Sequence, residues 1–286
     1  MKLRDILVVL DGSARSEVVL GVAMGLARRH DAHLTGYCPL QVLMPANLGF
    51  ALGGYPALTS LQGVSNQLEN EALAKAAAIE AGFRDQLLRN ELRGEWQVGR
   101  GVVGDAVACR ARAADLVVLG QADAGHKLPP SARNMIEDVL MNSGRPLLVV
   151  PFAGRFDTIG SNVLIGWNGT REAARAVHDA LLVVEPGATV TVLTVERGKA
   201  GVEPQEMPGA DIAEHLARHG LHVSAARTAT DGTIADADAL LSYALDLGAD
   251  LLVVGGYGHS RARELVLGGV SRGLLQHMTV PLLISH

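Results

Sequence analysis

ADLLVVGGYGHS, residues 249–260, sets a four-residue apolar run between an acidic residue and a cluster of glycines. A short apolar run bounded by turn residues reads as a buried strand. Its β-branched valines favour that reading over a helix segment. The pattern occurs twice: ADLVVLGQADAG begins at Ala114, 135 residues earlier. The same offset sets RPLLVV, residues 145–150, against VPLLIS, residues 280–285. Further upstream, DILVVLDGS from Asp5 matches NVLIGWNGT from Asn162, at an offset of 157. The chain is therefore an internal repeat whose first copy is longer in its middle. Two similar domains are expected, residues 1–153 and 160–286, joined by PFAGRFDTIG.

Within each copy, apolar strand runs alternate with helical patterns. In the second copy VLIGW, TVTVLTV, HVSAART, LLVV and PLLIS read as strands. TREAARAVHDALLVV, DIAEHLARHG, IADADALLSYALDLG and VSRGLLQHM read as helices between them. The first copy follows the same order, with a long helix over residues 66–90. This alternation predicts βαβ units, hence an α/β fold with a parallel sheet flanked by helices.

Composition agrees. Hydrophobic residues make up 48% of the 286, but aromatics only 3%, so the core is aliphatic. The net charge of −5 and the lack of a basic stripe argue against a nucleic-acid partner. Cys38 and Cys109 have no metal-type spacing and suit a reducing cytoplasm. The N-terminus enters a strand without the apolar region of a signal peptide. Residues 32–68 contain no Asp, Glu, Lys or Arg. Prolines and glycines break that stretch, so it is read as an apolar loop folded over the protein or into a subunit contact, and no membrane partner is expected.

In open parallel sheets ligands sit beyond the carboxyl ends of the strands, where strand order reverses. Two loops of the second copy meet that description. One is Trp167-Asn168-Gly169-Thr170, where Asn or Thr can cap a helix and Asn168 can bond a ligand. The other begins at Gly255 and Gly258 and ends at Gly268-Gly269-Val270-Ser271, the start of a helix. Glycines there leave room for backbone, and free N–H groups at the helix start favour an anion. Neither a Walker A motif nor a Rossmann GxGxxG after the first strand is present.

Gly255-x2-Gly258-x9-Gly268, together with Asp11-Gly12-Ser13 after the first strand, resembles the universal stress protein family in its tandem two-domain form. The family loop reads Gly-x2-Gly-x9-Gly followed by Ser or Thr, and Gly269 stands at that last position. The resemblance covers nearly the whole chain. It implies two tandem open-sheet domains of the adenine nucleotide alpha hydrolase-like (Rossmann-like) kind. Each would be a five-stranded parallel sheet of order 3-2-1-4-5, with ATP, with or without Mg2+, held between the first and fourth strands. It places Asn168 near the adenosine and Val195 at the end of the second strand. Gly255, Gly258, Gly268, Gly269, Val270 and Ser271 would surround ribose and phosphates. Asn168 stands where the family has Asp.

The first copy keeps Asp11, but Asp123 replaces Gly258 and Arg133-Asn134 replace Gly268-Gly269. It is expected not to bind ATP but to pair with the second copy through their final strands. Self-association as a homodimer is also implied. Other constellations are weaker. Glu214-His215-x3-His219-x2-His222 can set two histidines on one helix face for zinc, but a solvated helix end is the simpler reading. No GxSxG elbow accompanies the serines and histidines, and no residue is placed as a general base. The expected function is nucleotide-linked regulation or stress signalling, not catalysis. The alternatives are a nucleotide-independent interaction scaffold and an enzyme acting on an adenylated or phosphorylated small molecule.

Overall fold

In the computed structural model the described residues are 2–41, 55–122, 135–197, 209–230, 235–256 and 269–286. The first half runs β1 (Asp5–Val9), α1 (Ser16–His30), β2 (His33–Gln41), α2 (Tyr55–Arg89), β3 (Gly94–Gly101), α3 (Val103–Ala111), β4 (Leu116–Gly120), α4 (Met135–Ser143) and β5 (Leu147–Val150). The second half runs β6 (Asn162–Gly166), α5 (Arg171–Ala180), β7 (Thr189–Arg197), α6 (Ala210–Arg218), β8 (His222–Thr230), α7 (Asp236–Leu247), β9 (Leu251–Gly255), α8 (Gly269–His277) and β10 (Leu282–Ser285). The uncharged stretch is not one loop. Residues 33–41 are β2, and α2 begins at Tyr55, eleven residues before the sequence pattern places it.

All ten strands belong to one mixed sheet of order β3-β2-β1-β4-β5-β10-β9-β6-β7-β8. Within each half the strands are parallel and keep the order 3-2-1-4-5. The two halves meet through their final strands, as expected: β5 and β10 lie antiparallel and fuse the two five-stranded sheets at their centre. Fusion satisfies the backbone groups that two fully buried edge strands would otherwise leave unpaired.

Strand alternation divides the interior into two layers. Ile6, Val8, Val163, Ile165, Leu251 and Val253 face one side, beneath α1, α2, α5 and α6. Leu7, Val9, Leu164, Leu252 and Val254 face the other, beneath α3, α4, α7 and α8. Each layer runs through both halves without a break. Polar clasps reinforce the join. Arg29 on α1 donates to the carbonyls of Val183 (2.7 Å) and Ile159 (2.8 Å) and pairs with Glu185 at 2.9 Å. Gln121, just past β4, donates to the carbonyls of Leu275 and Gln276 at the end of α8.

Candidate site at the strand ends of the second half

The strand order of the second half reverses between β6 and β9, whose carboxyl ends lie side by side. After β6 the chain turns through Trp167 to Thr170. Asn168 Oδ1 accepts from the Thr170 amide (3.2 Å) and hydroxyl (2.9 Å), an Asx turn that Gly169 completes with φ of +70°. Thr170 then caps α5, its Oγ1 accepting from the Ala173 amide at 3.3 Å. Asn168 is exposed, and its Nδ2 donates to no described residue. Trp167 instead packs against the layer beneath α6, close to Gly209. It fills the space between strand and helix rather than standing over the cleft.

Gly255 ends β9 directly below the first turn of α5. A Cβ there would lie 2.5 Å from the Glu172 carbonyl carbon. This glycine is therefore required by the helix, not only by a ligand. Gly256 is anchored from behind, donating to the Ser285 carbonyl at 2.7 Å, with the His286 ring 3.2 Å from its own carbonyl oxygen. Leu140 of the first half would lie 3.0 Å from a Cβ on Gly256, so the first half supports the root of the glycine loop. The turn that Gly258 and Gly268 were read to make lies outside the described residues. At its far end Gly269 opens α8 with free space around its α-carbon. Val270 is half-buried against the second layer, and Ser271 is turned inward, 5% exposed. Val195 lies near the end of β7, opposite Thr228, half-buried. The structure thus joins Asn168 to Gly255 through the α5 turn and sets Val195 two strands from Gly255.

Glu172 was not singled out from the sequence. It is 6% exposed in the first turn of α5, its carboxylate bonded to Arg171. Burial pushes this carboxyl up, but the bonds from Arg171, its own amide and Thr170 prevail and hold it below the ordinary glutamate value. An acidic residue next to a helix N-cap was the available signal.

The equivalent place in the first half is built differently. Asp11 Oδ1 accepts from the Ser13 amide (2.9 Å) and the Ser16 hydroxyl (3.0 Å). Desolvation pushes the Asp11 carboxyl up, yet these bonds and the Lys75 ammonium bring it below the ordinary aspartate value. A Cβ on Gly12 would lie 2.8 Å from both Ile79 Cδ1 and Lys75 Cε, so α2 lies over this turn. Arg15, at the place of Glu172, reaches across to the carbonyls of Pro151 and Gly154. Asp123, Arg133 and Asn134 lie outside the described residues.

His215 and His219 do lie on one side of α6, with ring centroids 4.9 Å apart, and His178 of α5 is 5.3 Å from His215. Among the described residues no group of three or more His, Cys, Asp or Glu is arranged to hold a metal ion. Cys38 is buried, and Cys109 is exposed. Among the described residues no helix is long and apolar enough to cross a membrane.

Comparison with known proteins agrees with this fold. Residues 161–286 match the universal stress protein family. Universal stress protein Slr1230 of Synechocystis is 28% identical over 176 residues, 59% of this chain and 57% of that protein. The chain thus spans little more than half the length of that curated relative. Among solved structures, a universal stress protein from Archaeoglobus fulgidus superposes with a TM-score of 0.69 at 14% identity, covering 98% of this chain and 97% of its own. A functionally unknown protein from Pseudomonas aeruginosa PAO1 superposes with a TM-score of 0.56 at 14% identity, covering 99% and 92%. At such identities the likeness is one of fold.

Proposed function

We propose, on the premise that residues 161–286 match the universal stress protein family, that this half binds an adenine nucleotide, ATP with or without Mg2+, as a regulatory component of a cytoplasmic stress response. The observation that carries the reading is the adjacency of the β6 and β9 carboxyl ends, where the strand order reverses. After β6, Asn168 is held in an Asx turn with its Nδ2 bonded to no described residue, and β9 ends at Gly255 below the first turn of α5. Backbone N–H groups at Gly269 and Val270 and the helix dipole would receive phosphate oxygens. The Asn168 Nδ2 would donate to the nucleoside. The residues present fit a nucleotide better than a protein-held metal. Glu172 is committed to its neighbours, so Mg2+ would be carried chiefly by the phosphates. No described side chain at the site is placed as a general base, which favours a switched state over rapid turnover. In the first half α2 covers the corresponding turn, which supports a supporting role for that half.

The test is isothermal titration of ATP with magnesium into purified protein, after acid extraction of any nucleotide already held. Uptake near one per chain, lost in Gly258→Asp and retained in Asp11→Ala, is the expected result. Neither uptake nor extracted nucleotide would move the reading to an interaction scaffold of the same fold.

A further inference from the structure

An open groove of about 590 Å³ lies on the first half between edge strand β3 and α3 and reaches Arg100 and Val102 at the carboxyl end of β3. Tyr37, Gln97, Arg100, Asp105, Cys109 and Arg110 line it. Tyr37 is 5% exposed, yet its hydroxyl has no hydrogen-bond partner among the described residues. A Cβ on Gly99 would collide with that hydroxyl, so Gly99 is what lets the phenol reach over β3. Burial and the neighbouring Cys109 push the phenol's pKa up against the pull of Arg110, which keeps it a donor at neutral pH. That hydroxyl is one of the groove's polar groups and can donate to an acceptor brought by a ligand.

The charges in the cavity are mixed. Arg110 holds Gln97 at 2.7 Å and Glu95 at 3.1 Å and is a quarter exposed. Arg100 is 65% exposed, with a loose 3.4 Å pairing to Glu69. Asp105 adds an exposed carboxylate. Arg100 and Arg110, each shared with a glutamate, and the Asp105 carboxylate can meet a ligand carrying carboxylates and an ammonium group. Cys109, the exposed thiol of the chain's two, stands among them. The other, Cys38, is buried, and desolvation pushes its thiol pKa up.

We propose that this cavity recognises a small zwitterionic disulfide of amino-acid or peptide type and that Cys109 exchanges with it to form a mixed disulfide. Cys109 loses its proton to solvent, and the thiolate attacks one ligand sulfur. A new S–S bond forms, and the ligand's own S–S bond breaks. The second half of the ligand leaves with the electron pair and takes a proton from water. Cys109 is oxidised and the departing sulfur reduced, so no further oxidant is needed.

Oxidised glutathione and the uncharged 2-hydroxyethyl disulfide would be reacted with the full chain. Adducts would be located by peptide mass spectrometry and rates normalised to an unstructured cysteine peptide. The expected result is modification at Cys109 and not Cys38, with the charged disulfide favoured about tenfold or more over the peptide's own preference. That preference should fall toward one in Arg100→Gln, in Tyr37→Phe and at high salt. Arg100 is largely exposed and the Tyr37 hydroxyl is unpartnered, so both variants should fold. No adduct at Cys109, or a wild-type preference no greater than the peptide's, overturns the proposal. So does a preference that both substitutions leave unchanged.

Discussion

Leu148 of β5 faces Leu283 of β10 across the antiparallel pair, and each occupies the same place in its own half, 283 − 148 = 135 residues apart. Val149 faces Leu282 and Leu147 faces Ile284 on either side, as a two-fold axis through the Leu148–Leu283 pair requires. All six residues are fully buried.

Leu283→Ala should therefore destabilise the whole molecule. Truncating a fully buried leucine costs about 2–5 kcal/mol. Both layers run through both halves, so urea unfolding followed by circular dichroism and by Trp fluorescence should show one coincident transition at a lower midpoint. Separate transitions for Trp96 and Trp167, one in each half, would mean that the halves unfold independently.

The two glycines flanking the candidate site should respond in opposite senses. In Gly255→Ala the new methyl meets the backbone of Glu172 and Ala173, which cannot swing aside. A cost of about 1–3 kcal/mol is expected, with displacement of α5 and loss of any nucleotide affinity. Gly269→Ala has open space and a helical backbone, so it should be neutral or add about 0.4–1 kcal/mol. Thermal unfolding of the two variants checks this contrast.

Thr170→Ala removes the α5 cap and one of the two donors that hold the Asn168 carbonyl. A loss of about 1 kcal/mol is expected from the cap. If Asn168 must be held in place to meet a nucleoside, titration calorimetry should also show weaker ATP binding than in Thr170→Ser, which keeps the hydroxyl.

Acid should weaken the second half through His215. Its Nε2 is buried without a partner, and its ring stands between His178 and His219. Burial, then His219, His178 and Arg218, hold its folded pKa below 6.5. The nearby carboxylates are paired elsewhere, Glu214 with Arg218 and Asp179 with Arg175. The unfolded chain takes up this proton first, so stability falls as pH drops through 6.5 and the loss is complete below the folded pKa. Urea midpoints between about pH 7.5 and 5 should decline less steeply in His215→Phe than in the wild type. Equal slopes would remove His215 from the account.

Much of this protein was legible in its sequence. The repeat of ADLVVLG in ADLLVVG marked two equivalent strands, and the alternation of apolar runs with helical patterns gave the α/β class, while the strand order within each half came from the family resemblance. Asn168 and Thr170 were recognisable as the candidate cap residues because caps and Asx turns are local bonds two or three residues long; Thr170 is the cap and Asn168 makes the turn. Other assignments needed the folded chain. Gly255 was read as room for a ligand, but its neighbour is the first turn of α5. His215 and His219 were visible as a spaced pair, while His178 joins them only because α5 and α6 pack side by side. The register that sets Leu148 against Leu283, the closure of α2 over Gly12 and the reach of Tyr37 over Gly99 belong to the same class. Periodicity and turn chemistry are properties of neighbouring residues, so the sequence alone determined the elements and their faces. Which faces meet depends on contacts between residues tens or hundreds of positions apart, and there only tertiary packing decided.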